Sequence, residues 1–156
     1  MALYHFSVRN VSRGKGQMVV ASAAYISGQR IFDSYYNKIH DYTSKSGVIF
    51  TEILTPEYVP ERLTDRETLW NEVEHVERNN KAQLAYSFDI ALQNELTLEE
   101  NIRLAKEFCQ EQFVARGMIV DLAVHEGKSD NEEEPDNPHF HVLVPIRPFT
   151  EEGIWG

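Results

Sequence analysis

The sequence predicts an α+β fold built on a mainly antiparallel sheet. Three observations predict it. The apolar runs Met118–Val124 and Phe140–Val144 flank a polar stretch, Glu126–Asn137, in the manner of a strand–loop–strand hairpin. Residues Ala82–Leu92 alternate through Leu84, Tyr86, Phe88, Ile90 and Leu92, which is the period of a half-buried strand. Helical patterns with their own start and stop signals are interspersed among these strands, so helices pack on the sheet.

Taken in order, Leu3–Val8 reads as a first strand and Asn10–Gly16 as a basic turn. Gln17–Ser27 follows without Pro or Gly and stops at Gly28, a helix with a glycine at its end. Ile31–Tyr36 and Val48–Leu54 are short β-prone runs around a Lys/Asp/Ser/Gly segment, and read as a hairpin or an irregular excursion. Pro56 and Pro60 break the chain. Thr64 with Glu67 reads as a capping box for a helix to about Arg78, ended by Asn79-Asn80. Thr97 with Glu100 reads as a second box, for a helix running to about Arg116 and closed by Gly117. Trp70, Trp155 and Cys109 read as core residues.

The chain of 156 residues is expected to be one domain, and its abrupt tail reads as a fragment of a longer protein. No apolar run is long enough to span a bilayer, and the start lacks the pattern of a signal peptide. A single cysteine excludes an internal disulfide and fits a reducing cytoplasm. The net charge of −10 argues against a simple nucleic-acid binder. Its distribution is uneven. Residues 1–50 hold six bases and two acids, so +4, which leaves −14 for the remainder.

Chemistry concentrates near the C-terminal end. His139 and His141 are two apart in a strand, so they share a face, with Phe140 and Val142 on the other. His125 ends the strand before the polar loop, and a hairpin brings it beside that pair. Three imidazole nitrogens suit a divalent ion with open positions for substrate. Such a site serves either of two chemistries. It activates water for hydrolysis, or it polarises a phosphate for attack by a protein hydroxyl. For the second, Tyr25 stands one helix after the first strand, behind the small residues Ser22, Ala23 and Ala24.

These residues together resemble a known family. Asn137-Pro138-His139-Phe140-His141, with His125 upstream, is similar to the Pro-His-x-His motif of HUH endonucleases. Met1-Ala2-Leu3-Tyr4-His5-Phe6, then Gly16-Gln17 and Ala21 to Tyr25, resembles the MobA/MobL branch of conjugative relaxases. The segments Leu69-Trp70-Asn71, Ala82-Gln83-Leu84, Asn94-Glu95-Leu96 and Gly117–Leu122 extend the resemblance over essentially the whole chain.

The resemblance implies a relaxase palm, an antiparallel sheet of about five strands with helices on its faces. It implies a substrate of single-stranded DNA at a plasmid origin of transfer. Accessory relaxosome and coupling proteins are the implied partners, without membrane insertion. His125, His139 and His141 would hold Mg²⁺ or Mn²⁺, and Tyr25 would attack to leave a 5′-phosphotyrosyl adduct, later rejoined. The chain departs from the pattern at Ser87, where relatives carry a glutamate, and at Gln93, where they carry a proline. Asp89 lies two residues on from Ser87, hence on the same strand face, and can take the acidic role as base or metal-shell partner. Arg9, Arg13 and Lys15 are candidate phosphate contacts. Tyr35 and Tyr36 are reserve nucleophiles, and His5 shares a strand face with Ser7. The alternatives are a three-histidine metallohydrolase with a structural Tyr25, and a non-catalytic DNA-binding module of the same fold.

Overall fold

Among the described residues, seven strands and three α-helices form. The computed structural model describes residues 6–156, so His5 and the Leu3–His5 part of the expected first strand lie outside them. Five strands make one sheet in the order β1-β5-β7-β6-β4, with every neighbouring pair antiparallel. They are β1 (Phe6–Ser12), β4 (Val48–Leu54), β5 (Gln83–Ala91), β6 (Val120–His125) and β7 (His139–Pro145). Strands β2 (Arg30–Asp33) and β3 (Lys38–Asp41) form a separate two-stranded sheet. This is the five-stranded antiparallel architecture that the resemblance implies.

The position of β7 in the middle of the sheet explains its nearly unbroken apolar run. Phe140, Val142, Leu143 and Val144 are all buried, because both faces of a central strand are covered. On one face, Val11, Ala85, Ala123 and Leu143 pack with α1 (Val19–Ser27) and α2 (Arg66–Val76) through Val20, Ala23, Ala24, Leu69 and Trp70. On the other, Ile90, Phe140, Val142, Leu122 and Val124 pack with Ala105 and Cys109 of α3 (Leu98–Gln112). Burial pushes the Cys109 thiol up to about 12, so it is a core residue and not a reactive thiol.

Local chemistry sets the element ends, and it moves several of those read from sequence. Asn10–Ser12 continue β1 instead of turning, paired with Tyr86, Ala85 and Gln83. Helix α1 begins at Val19 because Gln17 closes the preceding turn. Its Oε1 accepts the Ser12 N–H at 2.8 Å. The α2 cap is Asp65, not Thr64: Asp65 accepts from the Thr68 N–H, while the Thr64 hydroxyl donates back to the Glu61 carbonyl in a 3₁₀ turn. The α3 capping box forms as read, with Thr97 and Glu100 each bonding the other's backbone.

The largest difference concerns the segment between α1 and α2. Ile31 does not pair with the Val48–Leu54 run. It pairs with His40 in the short β2–β3 ribbon, whose Asp33 is fully buried and bonded to His40 at 3.0 Å. The Val48–Leu54 run instead joins the main sheet as β4, at its edge against β6. A short ribbon of alternating polar and apolar residues is readable as a turn, and only its packing on α1 gives it a partner face.

Candidate functional site

The site grows from the β6–β7 ladder. His125 lies directly opposite His139, and Ala123 lies opposite His141. Alternation along β7 puts His139 and His141 on one face, and the small side chain of Ala123 leaves room above it. Centroids of the three rings are 4.5 to 5.1 Å apart. One nitrogen from each ring falls within 4.8 Å of the others. At the mouth of the hairpin, Asn137 N–H donates to the Gly127 carbonyl at 2.8 Å. Gly127 has φ 58°, and a β-carbon there would overlap the Asn137 carbonyl, so glycine permits the loop ends to close.

Two backbone carbonyls each occupy one nitrogen of a ring. His125 Nε2 lies 2.8 Å from the Ile26 carbonyl and His139 Nδ1 lies 2.9 Å from the Asn137 carbonyl. A carbonyl only accepts, so each of those nitrogens carries a hydrogen, and in a neutral ring the lone pair then sits on His125 Nδ1 or His139 Nε2. Burial, outweighing the attraction of Asp89, holds the His141 imidazole down at about 4, and burial likewise lowers His125. Neutral imidazoles with oriented lone pairs are the ligating form, so the donor set fits a divalent metal ion.

Asp89 is the Cα partner of His141 across the β5–β7 ladder and thus shares the histidine face. With Ala91, Asn137 and His139 it lines a small hollow of about 170 Å³. Ser87 is two residues along the same face, opposite Leu143 and Arg9.

Tyr25 stands in the last turn of α1. Ala23 and Ala24 are fully buried, which seats the helix close on the sheet, while Tyr25 is half exposed. Gly28, in the left-handed conformation at φ 66°, ends the helix. The Ile26 carbonyl that receives His125 is the residue after Tyr25, so the helix end is tied to the histidines. A cleft of about 380 Å³ is lined by both Tyr25 and His141, together with Arg9, Gln17, Ser22 and Ser87. Tyr42 meets the Tyr25 ring edge-on at 5.3 Å, and the Lys45 ammonium lies over its face, 3.4 Å from the centroid.

The basic candidates separate. Arg9 is exposed and lines the cleft, and Lys15 is exposed in the turn after β1. Arg13 does not belong with them. It is buried, and its guanidinium is taken up by the Glu74 carboxylate and by the carbonyls of Glu74, Glu77 and Asn79 at 2.6 to 3.0 Å. It joins the end of α2 to the start of the chain and has no free donor face for phosphate. Tyr35 stacks on Arg13, 4.4 Å from ring to guanidinium, and Tyr36 meets Tyr35 at 4.9 Å. Arg13 follows the Ser12–Gln83 end of the sheet, whereas the histidines face Asp89 and Ala91 at the other end, so neither tyrosine lines the cleft. Trp70 is fully buried and donates to Asp121, and Trp155 donates to Glu72, so both indoles are structural. Sequence reasoning did not single out Lys45, Tyr42 or the Ile26 carbonyl. The first two sit in a polar connection with no periodicity, and a backbone carbonyl leaves no signal in residue identity.

Among the described residues, no helix is long and apolar enough to cross a membrane. Comparison with known proteins gives a consistent answer. Residues 17–156 match the model of the MobA/MobL family. The chain is 37% identical over 99% of its length to the conjugal transfer protein TraA of Agrobacterium fabrum, and covers 14% of that protein. It is 34% identical to the probable mobilization protein MobA of Bifidobacterium longum and 32% identical to the mobilization protein MobL of Acidithiobacillus ferridurans. It covers 27% and 41% of those proteins and is matched over 99% of its own length in both. The chain therefore spans less than half the length of these curated relatives. A solved structure reported as "Molecular Basis of Vancomycin Resistance Transfer in Staphylococcus aureus" superposes with a TM-score of 0.87 at 38% identity, over 99% of this chain and 76% of the other. The chain belongs to the MobA/MobL family.

Proposed function

We propose that residues 1–156 are the nicking domain of a conjugative relaxase, which cleaves and rejoins single-stranded DNA at a plasmid origin of transfer. The observation that carries this reading is the shared cleft: Tyr25 and His141 line the same hollow, and His125 is bonded to the residue after Tyr25. A hydrolase using water alone would not call for a half-exposed tyrosine beside its three histidines.

In this reading the Tyr25 Oη attacks the scissile phosphorus as the bond to the 3′-oxygen breaks. The phenolic proton leaves, the departing 3′-oxygen takes one up, and the strand remains joined to the protein as a 5′-phosphotyrosyl ester. Attack by the 3′-hydroxyl on that ester reverses the step and rejoins the strand. His125, His139 and His141 would hold the cation, Mg²⁺ or Mn²⁺, which supplies positive charge against the non-bridging phosphate oxygens. Asp89 places a carboxylate on the histidine face, where it would serve as base or as a partner in the shell of the cation. Arg9 lines the cleft and contacts the DNA backbone. Reaction on plasmid DNA places the protein in the cytoplasm, with relaxosome and coupling proteins as its partners.

The test is a denaturing gel of single-stranded origin DNA incubated with the protein and Mn²⁺. Wild type is expected to give a slow-migrating covalent adduct, and Tyr25→Phe none. Cleavage that survives Tyr25→Phe would transfer the assignment to water-driven hydrolysis.

A further inference from the structure

We infer that Lys45 is a positioning residue for Tyr25, holding the ring over the reacting phosphate and favouring the phenol's passage to an aryl ester. The inference rests on the reading of Tyr25 as the nucleophile.

Tyr25 is half exposed at a helix end, where a tyrosine ordinarily turns freely about its side-chain bonds. Here two contacts hold it. Tyr42 packs edge-on against the ring with an interplanar angle of 87°. Lys45 caps one face, its Nζ only 3.4 Å from the centroid, well inside the range of a cation–π contact. The segment that carries both residues is itself anchored. Tyr42 N–H donates to the Gln29 carbonyl just past α1, and Lys45 N–H donates to the Tyr42 carbonyl, both at about 3.0 to 3.1 Å. Asp41 Oδ1 accepts from the Thr43 N–H at 2.9 Å and from its hydroxyl at 2.6 Å. At the far end of the segment, the Gly47 carbonyl accepts from the Glu126 N–H, the residue after His125. The connection from β3 to β4 is thus pinned to the helix that bears the nucleophile and to the strand that bears a histidine.

The charge matters beyond the packing. When Oη loses its proton on the way to the ester, negative charge spreads into the ring. An ammonium over that face is held more tightly in the transition state than in the resting phenol, which is the condition for an effect on rate rather than on binding. An arginine can replace Lys45, because a guanidinium also stacks on an aromatic face, whereas a methionine keeps the stem and loses the charge.

Two measurements decide the matter. The first is single-turnover adduct formation on saturating single-stranded origin DNA with Mn²⁺, for wild type, Lys45→Met, Lys45→Arg and Tyr25→Phe, with DNA affinity measured separately by fluorescence anisotropy. Lys45→Met is expected to slow adduct formation about tenfold at nearly unchanged DNA affinity, and Lys45→Arg to stay within about threefold of wild type. The second needs no DNA. The ε-methylene protons of Lys45 are expected upfield of random-coil positions in the NMR spectrum, shifted by the ring, and back at those positions in Tyr25→Leu. A Lys45→Met protein with the wild-type rate overturns the inference. So does a variant that loses DNA affinity at unchanged rate, which makes Lys45 a phosphate contact only, or an unshifted Lys45 signal in wild type. Absence of adduct from wild type, or adduct from Tyr25→Phe, removes the nucleophile reading and this inference with it. The NMR shift then tells whether the contact itself was real.

Discussion

His125 faces His139 directly across the β6–β7 ladder, with ring centroids 5.1 Å apart, and each donates its outward nitrogen to a backbone carbonyl. The pairing makes the site a property of strand register. A shift of one residue in β7 would send both of its histidines to the α3 face and destroy the cluster.

Metal binding should therefore stabilise the fold measurably. With divalent ion at about a hundred times its dissociation constant, linkage predicts about 2.7 kcal/mol, or roughly 5–10 °C in melting temperature for a chain of this size. Differential scanning fluorimetry with Mn²⁺ against EDTA checks it. His139→Ala should abolish the increment, and an increment that survives would place the ion elsewhere.

The pH dependence of stability has a defined sign. In the unfolded chain an imidazole takes up its proton near pH 6.5, whereas folded His141 resists until about 4 because it is buried. Between those values the unfolded state binds more protons, so stability falls as pH drops through 6.5 and the loss levels off below about 4. Urea midpoints in EDTA at pH 7, 5.5 and 4.5 should show the decline, with a shallower slope in His141→Asn. An equal slope in the variant would contradict the assignment.

Much of this site was legible in the sequence, and the reasons are geometric. Two histidines at spacing two in an apolar run share a face in any strand, and a polar loop between apolar runs implies the hairpin that adds His125. Tyr25 is singled out by the resemblance to MobA/MobL relaxases, since a tyrosine behind small residues at a helix end reads equally as packing. Arg13 reads as a phosphate contact because a basic residue in a Gly/Lys turn looks solvated, whereas in the fold it is buried. Its partner, Glu74, is distant in sequence and lies in a helix whose pattern gives no sign of a buried carboxylate. Burial pushes the Glu74 carboxyl upward against the pull of Arg13, a cost visible only in the folded chain. The β2–β3 ribbon was missed for a related reason, since short strands acquire their identity from packing and not from periodicity.

The two arginines of the N-terminal strand and turn should behave differently. Arg9→Ala should weaken single-stranded DNA binding and reduce the slope of log affinity against log salt by about 0.7, one phosphate contact. Arg13→Ala should leave that slope alone and lower stability instead, since it removes the partner of a buried carboxylate. Salt titrations by anisotropy, with urea melts alongside, separate the two.

Beneath the site, Asp121 is fully buried and accepts from Arg66 Nε and Nη2 and from Trp70 Nε1 at 2.8 to 3.0 Å. This carboxylate locks α2 onto β6, the strand that presents His125. Asp121→Ala should cost about 3–5 kcal/mol by leaving a buried guanidinium unpaired. Equilibrium unfolding measures it, and a loss under 1 kcal/mol would show that water reaches Arg66.

The proposed joining of Tyr25 to DNA decides the reading of the site. It is tested most directly by reacting the wild-type protein with single-stranded origin DNA and Mn²⁺, digesting both partners and mapping the modified peptide by mass spectrometry. A nucleotide phosphate on Tyr25 is expected. A modification on Tyr35, Tyr36 or Tyr42, or cleaved DNA with an unmodified protein, would contradict it.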